Sequence, residues 1–469
     1  MEPATYRAAR IVPAVRITRP IEQAIDWLRF DLLTIDGGHK DRRRINRRVL
    51  IGGGVLLGVA LIALLVALDP FGGGDEGETR VVTIAVATEN AQEAPVGTLG
   101  FPVVATRNTT RISGPDPIAD AAAAALATHP LTRDAPPLEA AVLVPDDGWQ
   151  AGIAASVLAG PPIRAPVLIS QSGGVPSPTA DALAQLKPRG GDAAGDAAAY
   201  SIDGAAAPSD LATEEIEGDS AAEIADSIDR LRQRLFGREP DHIVIASSDQ
   251  AGYAMPAAAW AARSGDPVLF SGKDNVPAAT LAALRRHTAA AIYILGPEQV
   301  ISSRAKQQIA RVAGAVIRIG AVGVVQNALL FARYSDPSFG WNIAELPGHG
   351  MQLANASRPL DAAAAASLAS SGKWGPLLIT DTPDALPPEL RSFLLDIKPG
   401  YETDPTEAVY NHIWLMGDAT AIGGQVQAEI DELAELAPVG GVTDAEPGLR
   451  QAGGAEEEIV PKPPKDKRK

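Results

Sequence analysis

One pattern recurs three times along the chain: a proline, an unbroken apolar run ending in a hydroxyl residue, then a second proline ahead of a helical stretch. It reads Pro166-Val-Leu-Ile-Ser170 with Val175-Pro176, Pro267-Val-Leu-Phe-Ser271 with Val276-Pro277, and Pro376-Leu-Leu-Ile-Thr380 with Leu386-Pro387. The first prolines lie 101 and 109 residues apart. Apolar runs this short read as strands covered on both faces, as in parallel sheets. A proline where a strand begins removes no ladder hydrogen bond. Helices are expected near 180–186, 278–286 and 389–395.

Other segments keep step. Arg111-Ile-Ser-Gly114, Glu215-Ile-Glu-Gly218 and Arg318-Ile-Gly320 each precede an Ala-rich helical stretch. Further Ala-rich helices, at 151–159, 254–262 and 361–369, precede the three apolar strands. Strands ending at Gly204, Gly296 and Gly417 follow. Strands alternating with helices imply right-handed βαβ units. The fold class is therefore α/β, in three tandem small parallel-sheet repeats at 111–212, 213–316 and 317–437, packed about a common centre. Residues 81–110 supply short strands leading into them.

Val49–Leu68 is a different kind of segment: twenty residues without a charge. A helix of that length spans about 30 Å, the thickness of a bilayer core, so one transmembrane helix is expected at 49–68. Residues 1–48 hold 11 basic and 6 acidic side chains, and Arg42, Arg43, Arg44, Arg47 and Arg48 crowd the boundary. The positive-inside rule then keeps 1–48 cytoplasmic and places the C-terminal repeats outside the cell membrane. Residues 69–80 read as a flexible linker, and 438–469, rich in Pro, Gly and charge, as a disordered tail.

The chain carries a formal net charge of −16 and no cysteine. Thiol chemistry and disulfides are excluded, and an acidic balance argues against nonspecific nucleic-acid binding. No HExxH, GxSxG or P-loop pattern occurs, so neither a cofactor nor a catalytic site is expected.

Binding residues are sought where polarity and aromatics coincide. Residues 331–414 hold nine of the chain's 21 aromatic residues, marking an aromatic-rich insertion in the third repeat. Trp341, Asn342, Tyr401, Asp404, Tyr410, Asn411 and His412 combine ring faces with amide and carboxylate groups, a set suited to sugars; a local core is the other reading. Ser170, Ser271 and Thr380 sit at strand C-termini, where three hydroxyls either converge on a ligand or cap the next turn. Arg111 and Arg318 occupy matching positions as candidate contacts to a polyanion, or as partners in internal ion pairs, whereas Glu215 breaks the set.

The threefold pattern resembles the cell wall-binding repeat 2 family of Gram-positive surface proteins. Thr109-Thr-Arg-Ile-Ser-Gly114 is similar to that family's opening segment. The PVLIS, PVLFS and PLLIT runs are similar to its apolar segment, and Gly296-Pro-Glu-Gln-Val-Ile-Ser302 to its Gly-led segment. The resemblance implies three α/β domains about a pseudo-threefold axis and noncovalent binding of wall glycopolymer or a peptidoglycan-linked glycan. With the span, this describes a noncatalytic surface protein contacting the lipid bilayer through 49–68 and bridging membrane to wall. A scaffold for envelope proteins or an export complex is the alternative. Because the chain is acidic, a neutral or weakly charged glycan is expected over a strong polyanion.

Overall fold

The computed structural model describes residues 103–129 and 137–439, all within one unit of the chain, 91–469. The expected cytoplasmic segment, membrane span and linker lie outside the described residues, as does the tail beyond Val439. Among the described residues no helix is long and apolar enough to cross a membrane.

The chain enters through β1 (Val103–Ala105), β2 (Thr109–Ile112) and α1 (Pro117–Thr128), where Asp116 caps the helix by accepting from the Ala119 N–H and Pro117 stands at its first turn. It continues as β3 (Ala141–Pro145), α2 (Trp149–Ala155) running into a 3-10 turn at Ser156–Ala159, β4 (Val167–Ser170), α3 (Ser177–Leu186), β5 (Ala199–Ile202) and β6 (Thr213–Ile216). The next stretch comprises α4 (Ala221–Phe236), β7 (His242–Ser247), α5 (Ala251–Ala254), α6 (Pro256–Ser264), β8 (Val268–Ser271), α7 (Ala278–Arg286), β9 (Ala291–Leu295), α8 (Ser303–Ala310) and β10 (Val316–Ile319). Last come α9 (Val324–Arg333), β11 (Gly350–Asn355), α10 (Asp361–Ala369), β12 (Trp374–Thr380), α11 (Pro388–Asp396), β13 (Gly400–Tyr401), β14 (His412–Met416), α12 (Gly424–Ala434) and β15 (Ala437–Pro438).

The result is a mixed α/β fold with several small parallel sheets. Their strand orders are β4-β3-β5-β6, β8-β7-β9-β10 and β12-β11-β14-β2, each parallel throughout, with β1 added antiparallel beside β2. A two-residue pair, β13 with β15, stands apart. β4 and β8 begin just after Pro166 and Pro267, whereas Pro376 lies two residues inside β12; all three are edge strands, where a missing N–H does least harm.

The sheets do not coincide with the sequence units. The strands that open those units pair backwards: β6 with β5, β10 with β9, and β2 with β14 near the other end of the chain. From each such strand a helix crosses to cover the next sheet. Thus α1 packs on β4, α4 on β8 and α9 on β12. The closing strand β2 is held by α12: Asn108 donates its backbone N–H to Asp431 Oδ1 at 2.7 Å, and Gln427 Nε2 donates to Thr109 Oγ1 at 3.0 Å.

The alanine content has a spatial reason. The segment α2 with its 3-10 turn, α6 and α10 pack against one another in all three pairings. Every residue from Asp361 to Ala369 and from Pro256 to Ala262 is buried. A helix buried all round needs no polar face. Larger side chains would hold the backbones apart: a Cβ built on Gly152 comes within 2.9 Å of Ala363 Cβ and 3.4 Å of Leu360 Cδ2. Against this dry centre lies a charged knot. Asp120 of α1 and Asp361 of α10, both fully buried, face Arg358, with Arg358 Nε 2.9 Å from Asp361 Oδ2. Burial pushes the Asp361 carboxyl up to about 6 and that of Asp120 well above its ordinary value, despite the guanidinium.

Gly152→Val should therefore overpack the centre and lower stability by about 1–3 kcal/mol. The exposed Ala428→Val on α12 should change it little, and chemical denaturation of both variants checks the difference.

Candidate functional site

Most of the residues singled out in sequence serve the fold. Arg111 is buried on β2. Its Nε donates to Gln427 Oε1 at 2.8 Å and one terminal nitrogen donates to the carbonyls of Gly417 and Asp418, both at 2.9 Å. Its guanidinium holds the closing strand to the C-terminal helix rather than facing solvent. Arg318 donates to the Gly296 carbonyl at 2.7 Å. Both carry guanidinium pKa values lowered by burial.

The strand-end hydroxyls do not converge. Ser170 donates to Ala206 O at 2.7 Å on a distant loop, Ser271 to Gly272 O at 2.8 Å and Thr380 to Thr382 O at 2.8 Å, so each is held by a backbone carbonyl. Asn411 is buried, accepting from the Gly348 and His349 N–H groups and donating to Ile397 O at 2.7 Å. His412 pairs through Nε2 with Thr110 Oγ1 at 2.9 Å and lies edge-on to Trp374 and Trp414. Burial lowers its pKa. Trp341 is buried at 7% exposure, with Trp260 edge-on at 5.5 Å, leaving no open indole face for a sugar. Asn342, Asp404 and Tyr410 are exposed and Tyr401 half-buried. Asn342 takes a left-handed φ of 57°, and Asp404 accepts from Thr406 to cap a short 3-10 turn.

A second arrangement was invisible in sequence. His242 Nδ1 lies 3.3 Å from Asp266, and its Nε2 lies 3.1 Å from Ser338 Oγ. Hydrogen bonding to Asp266 raises the His242 pKa. The shape is that of a nucleophile, base and acid. Yet the backbone N–H groups of Ser338 and Phe339 both donate to Asp336, which also accepts from Tyr293 and Tyr334. A carboxylate thus stands where acyl transfer would need oxyanion donors. Phe339 stacks on Tyr293 at 3.6 Å, so these contacts secure the 334–342 loop to β7 and β9.

The open polar feature lies between α7 and α8. A cleft of about 470 Å³ is lined by Arg285, Arg304 and Arg311 together with Asn275, Gln307 and Gln308. All three arginines are exposed, and among the described residues none forms an ion pair or a side-chain hydrogen bond. Arg304 and Arg311 are seven residues apart, two turns along one helix face, and Arg285 reaches across from the last turn of α7. Arg285 and Arg311 lie at the C-terminal ends of their helices, which favour cations, whereas Arg304 stands in the first turn of α8. Gln308 fixes the rim by donating to Asp274 O at 2.9 Å. Sequence reasoning missed the cleft because its cations come from two helices; the spacing of Arg304, Gln307, Gln308 and Arg311 was the available signal.

α7 is anchored beneath this cleft. His287, fully buried at its C-cap, pairs through Nε2 with Asp229 at 2.7 Å and through Nδ1 with Glu239 at 2.5 Å. Arg286 joins Asp226 and Asp229 on α4. Burial alone would lower the His287 pKa, but the two carboxylates outweigh it and raise the value.

The family profile of Cell wall binding domain 2 (CWB2) matches residues 217–306. That span runs from the end of β6 into α8 and includes Arg285 and Arg304. Two solved structures have a similar fold: Cwp6 from Clostridium difficile, 18% identical with a TM-score of 0.52 over 69% of this chain and 48% of that one, and Cwp8 from the same organism, 17% identical with a TM-score of 0.52 over 70% and 52%. The chain thus aligns with about half the length of each. No curated protein matches the sequence.

The His287 anchor has a defined pH signature. Its folded pKa is raised, so its contribution is complete below the unfolded value of about 6.5 and is lost as pH rises through the folded value. Urea unfolding at pH 5.5 and 8.5 should show the native chain losing stability relative to His287→Gln at the higher pH. A difference between the two proteins that is independent of pH would contradict the assignment.

Proposed function

We propose that this is a noncatalytic, cell-wall-associated surface protein that holds wall glycopolymer in the arginine cleft between α7 and α8. The observation that carries the reading is a coincidence of place. The stretch matching Cell wall binding domain 2 (CWB2) contains α7 and the first turn of α8, and with them Arg285 and Arg304, two of the three unpaired, exposed arginines that line the cleft. Guanidinium groups recognise phosphate and carboxylate oxygens in pairs, so the cleft favours an anionic polymer over the neutral one that net charge alone suggests. In this reading the units at 111–212, 213–316 and 317–437 stand about a pseudo-threefold axis. The segment at 49–68 spans the membrane with the N-terminus inside, and the protein bridges membrane and wall. The repeated strand order of the sheets and the basic flank of the span support these two parts.

Retention on purified wall sacculi across a salt series tests the binding. The native chain should be retained at low salt and progressively released as screening increases. The Arg285→Ala, Arg304→Ala, Arg311→Ala triple variant should bind at least tenfold less. Equal retention of the two proteins, or none by either, would overturn the proposal. For the topology, protease added to intact protoplasts should remove a C-terminal tag; a protected tag would reverse the orientation.

A further inference from the structure

A second cavity, of about 300 Å³, opens beside the N-terminal ends of β11 and β12. Its wall is built from two glycine pairs, Gly348 with Gly350 and Gly372 with Gly375, from the apolar Ile343, and from four side chains with polar groups: Arg263, Trp341, His349 and Lys373. Two of the glycines are set by packing within the wall: a Cβ on Gly375 would run into the Trp341 ring, and one on Gly350 into the Lys373 carbonyl.

The side chains form an unusual set. Arg263, on the last turn of α6, lies over the Trp341 ring at 4.8 Å. It has no ion pair or hydrogen bond among the described residues, and burial against the indole lowers its pKa with no carboxylate to offset it. Lys373 is exposed and likewise unpaired. The indole N–H of Trp341 is buried without an acceptor, a state that ordinarily costs stability. His349 donates from Nε2 to Leu346 O at 2.8 Å. Burial lowers its pKa, so the ring is neutral near pH 7 and its Nδ1 is an acceptor. The cavity thus offers two cations and one neutral acceptor beside the Trp341 ring, in a chain of net charge −16.

We propose that this cavity binds a single pyranose unit bearing a carboxylate or a phosphate. The anionic group meets Arg263 and Lys373, while a ring hydroxyl meets His349 and the edge of the Trp341 ring bounds the site. Its volume sits at the small end of ligand cavities, which run from about 300 Å³. The anionic half of the assignment rests on the cavity itself; the sugar half rests on the wall-glycan reading. The site is separate from the α7–α8 cleft in residues and in the sheet that bears it.

The test follows the six tryptophan indole N–H signals of the full chain by nitrogen-15 NMR, with Trp341 assigned by Trp341→Phe. Glucuronate and glucose 6-phosphate, titrated separately, should shift the Trp341 signal; which of them binds more tightly identifies the anionic group. Glucose and inorganic phosphate should each be at least tenfold weaker. The Arg263→Ala, Lys373→Ala double variant should lose the response at least tenfold with the other indole signals in place. Lys373→Glu, a surface change, should weaken it as well. The Arg304→Ala, Arg311→Ala variant should respond as the native chain does, so failure of sacculus binding and failure here are read separately. No shift with either anionic sugar, an equal shift with inorganic phosphate, or a response that survives in the double variant overturns the proposal.

Discussion

The close approach of three alanine-rich helices at the centre is the constraint from which the rest of the structure follows. α2, α6 and α10 meet with little more than methyl groups between them. Dispersion and burial there depend on short interaxial distance, since each alanine contributes only one methyl. Because each of these helices follows the central strand of a different sheet, their meeting brings the sheets together. That leaves the edge strands and the connecting helices to the periphery, where the open clefts lie.

Closure imposes a second demand. The last sheet is completed by a strand from near the start of the described chain, so the ends must be tied. Asp431 holds the turn at Asn108, Gln427 and the Gly417–Asp418 carbonyls hold Arg111, and Asp120 reaches Arg358 across the centre. These ties absorb charged residues that a sequence reading treats as free. Buried ion pairs offset desolvation only with well-placed partners, and at Asp361 and Asp120 burial outweighs the guanidinium and raises both carboxyls.

What was legible in sequence follows from this geometry. Parallel strands covered on both faces leave unbroken apolar runs, so β4, β8 and β12 stood out, although their place at the sheet edges was not read. The alanine helix at 361–369 was visible with its observed bounds. The strand frame was not, because pairing of β2 with β14 joins residues about 300 positions apart and leaves no local trace. Arg111 and Asn411 failed as ligand candidates for the same reason: their partners come from distant segments or from backbone. For Trp341 the local-core reading fits its burial, but what covers it was not legible, since Trp260 and Arg263, which flank it, lie on the distant helix α6. The arginine cleft escaped because its members are each ordinary on their own helix and become a site only when α7 and α8 lie side by side.

The charge balance takes on a different meaning once residues are placed. Residues 69–469 hold 51 acidic and 30 basic side chains, a balance that taken as a sum disfavours any polyanion. Fields near a surface, however, are set by the nearest groups within a Debye length of about 8 Å in physiological salt. Within that reach the α7–α8 cleft presents guanidinium groups that no carboxylate pairs. In the proposed reading, an acidic body around a cationic cleft disfavours anions elsewhere on the surface, which sharpens placement more than it raises affinity. Net charge is therefore a statement about nonspecific association, and recognition depends on where unpaired charges lie.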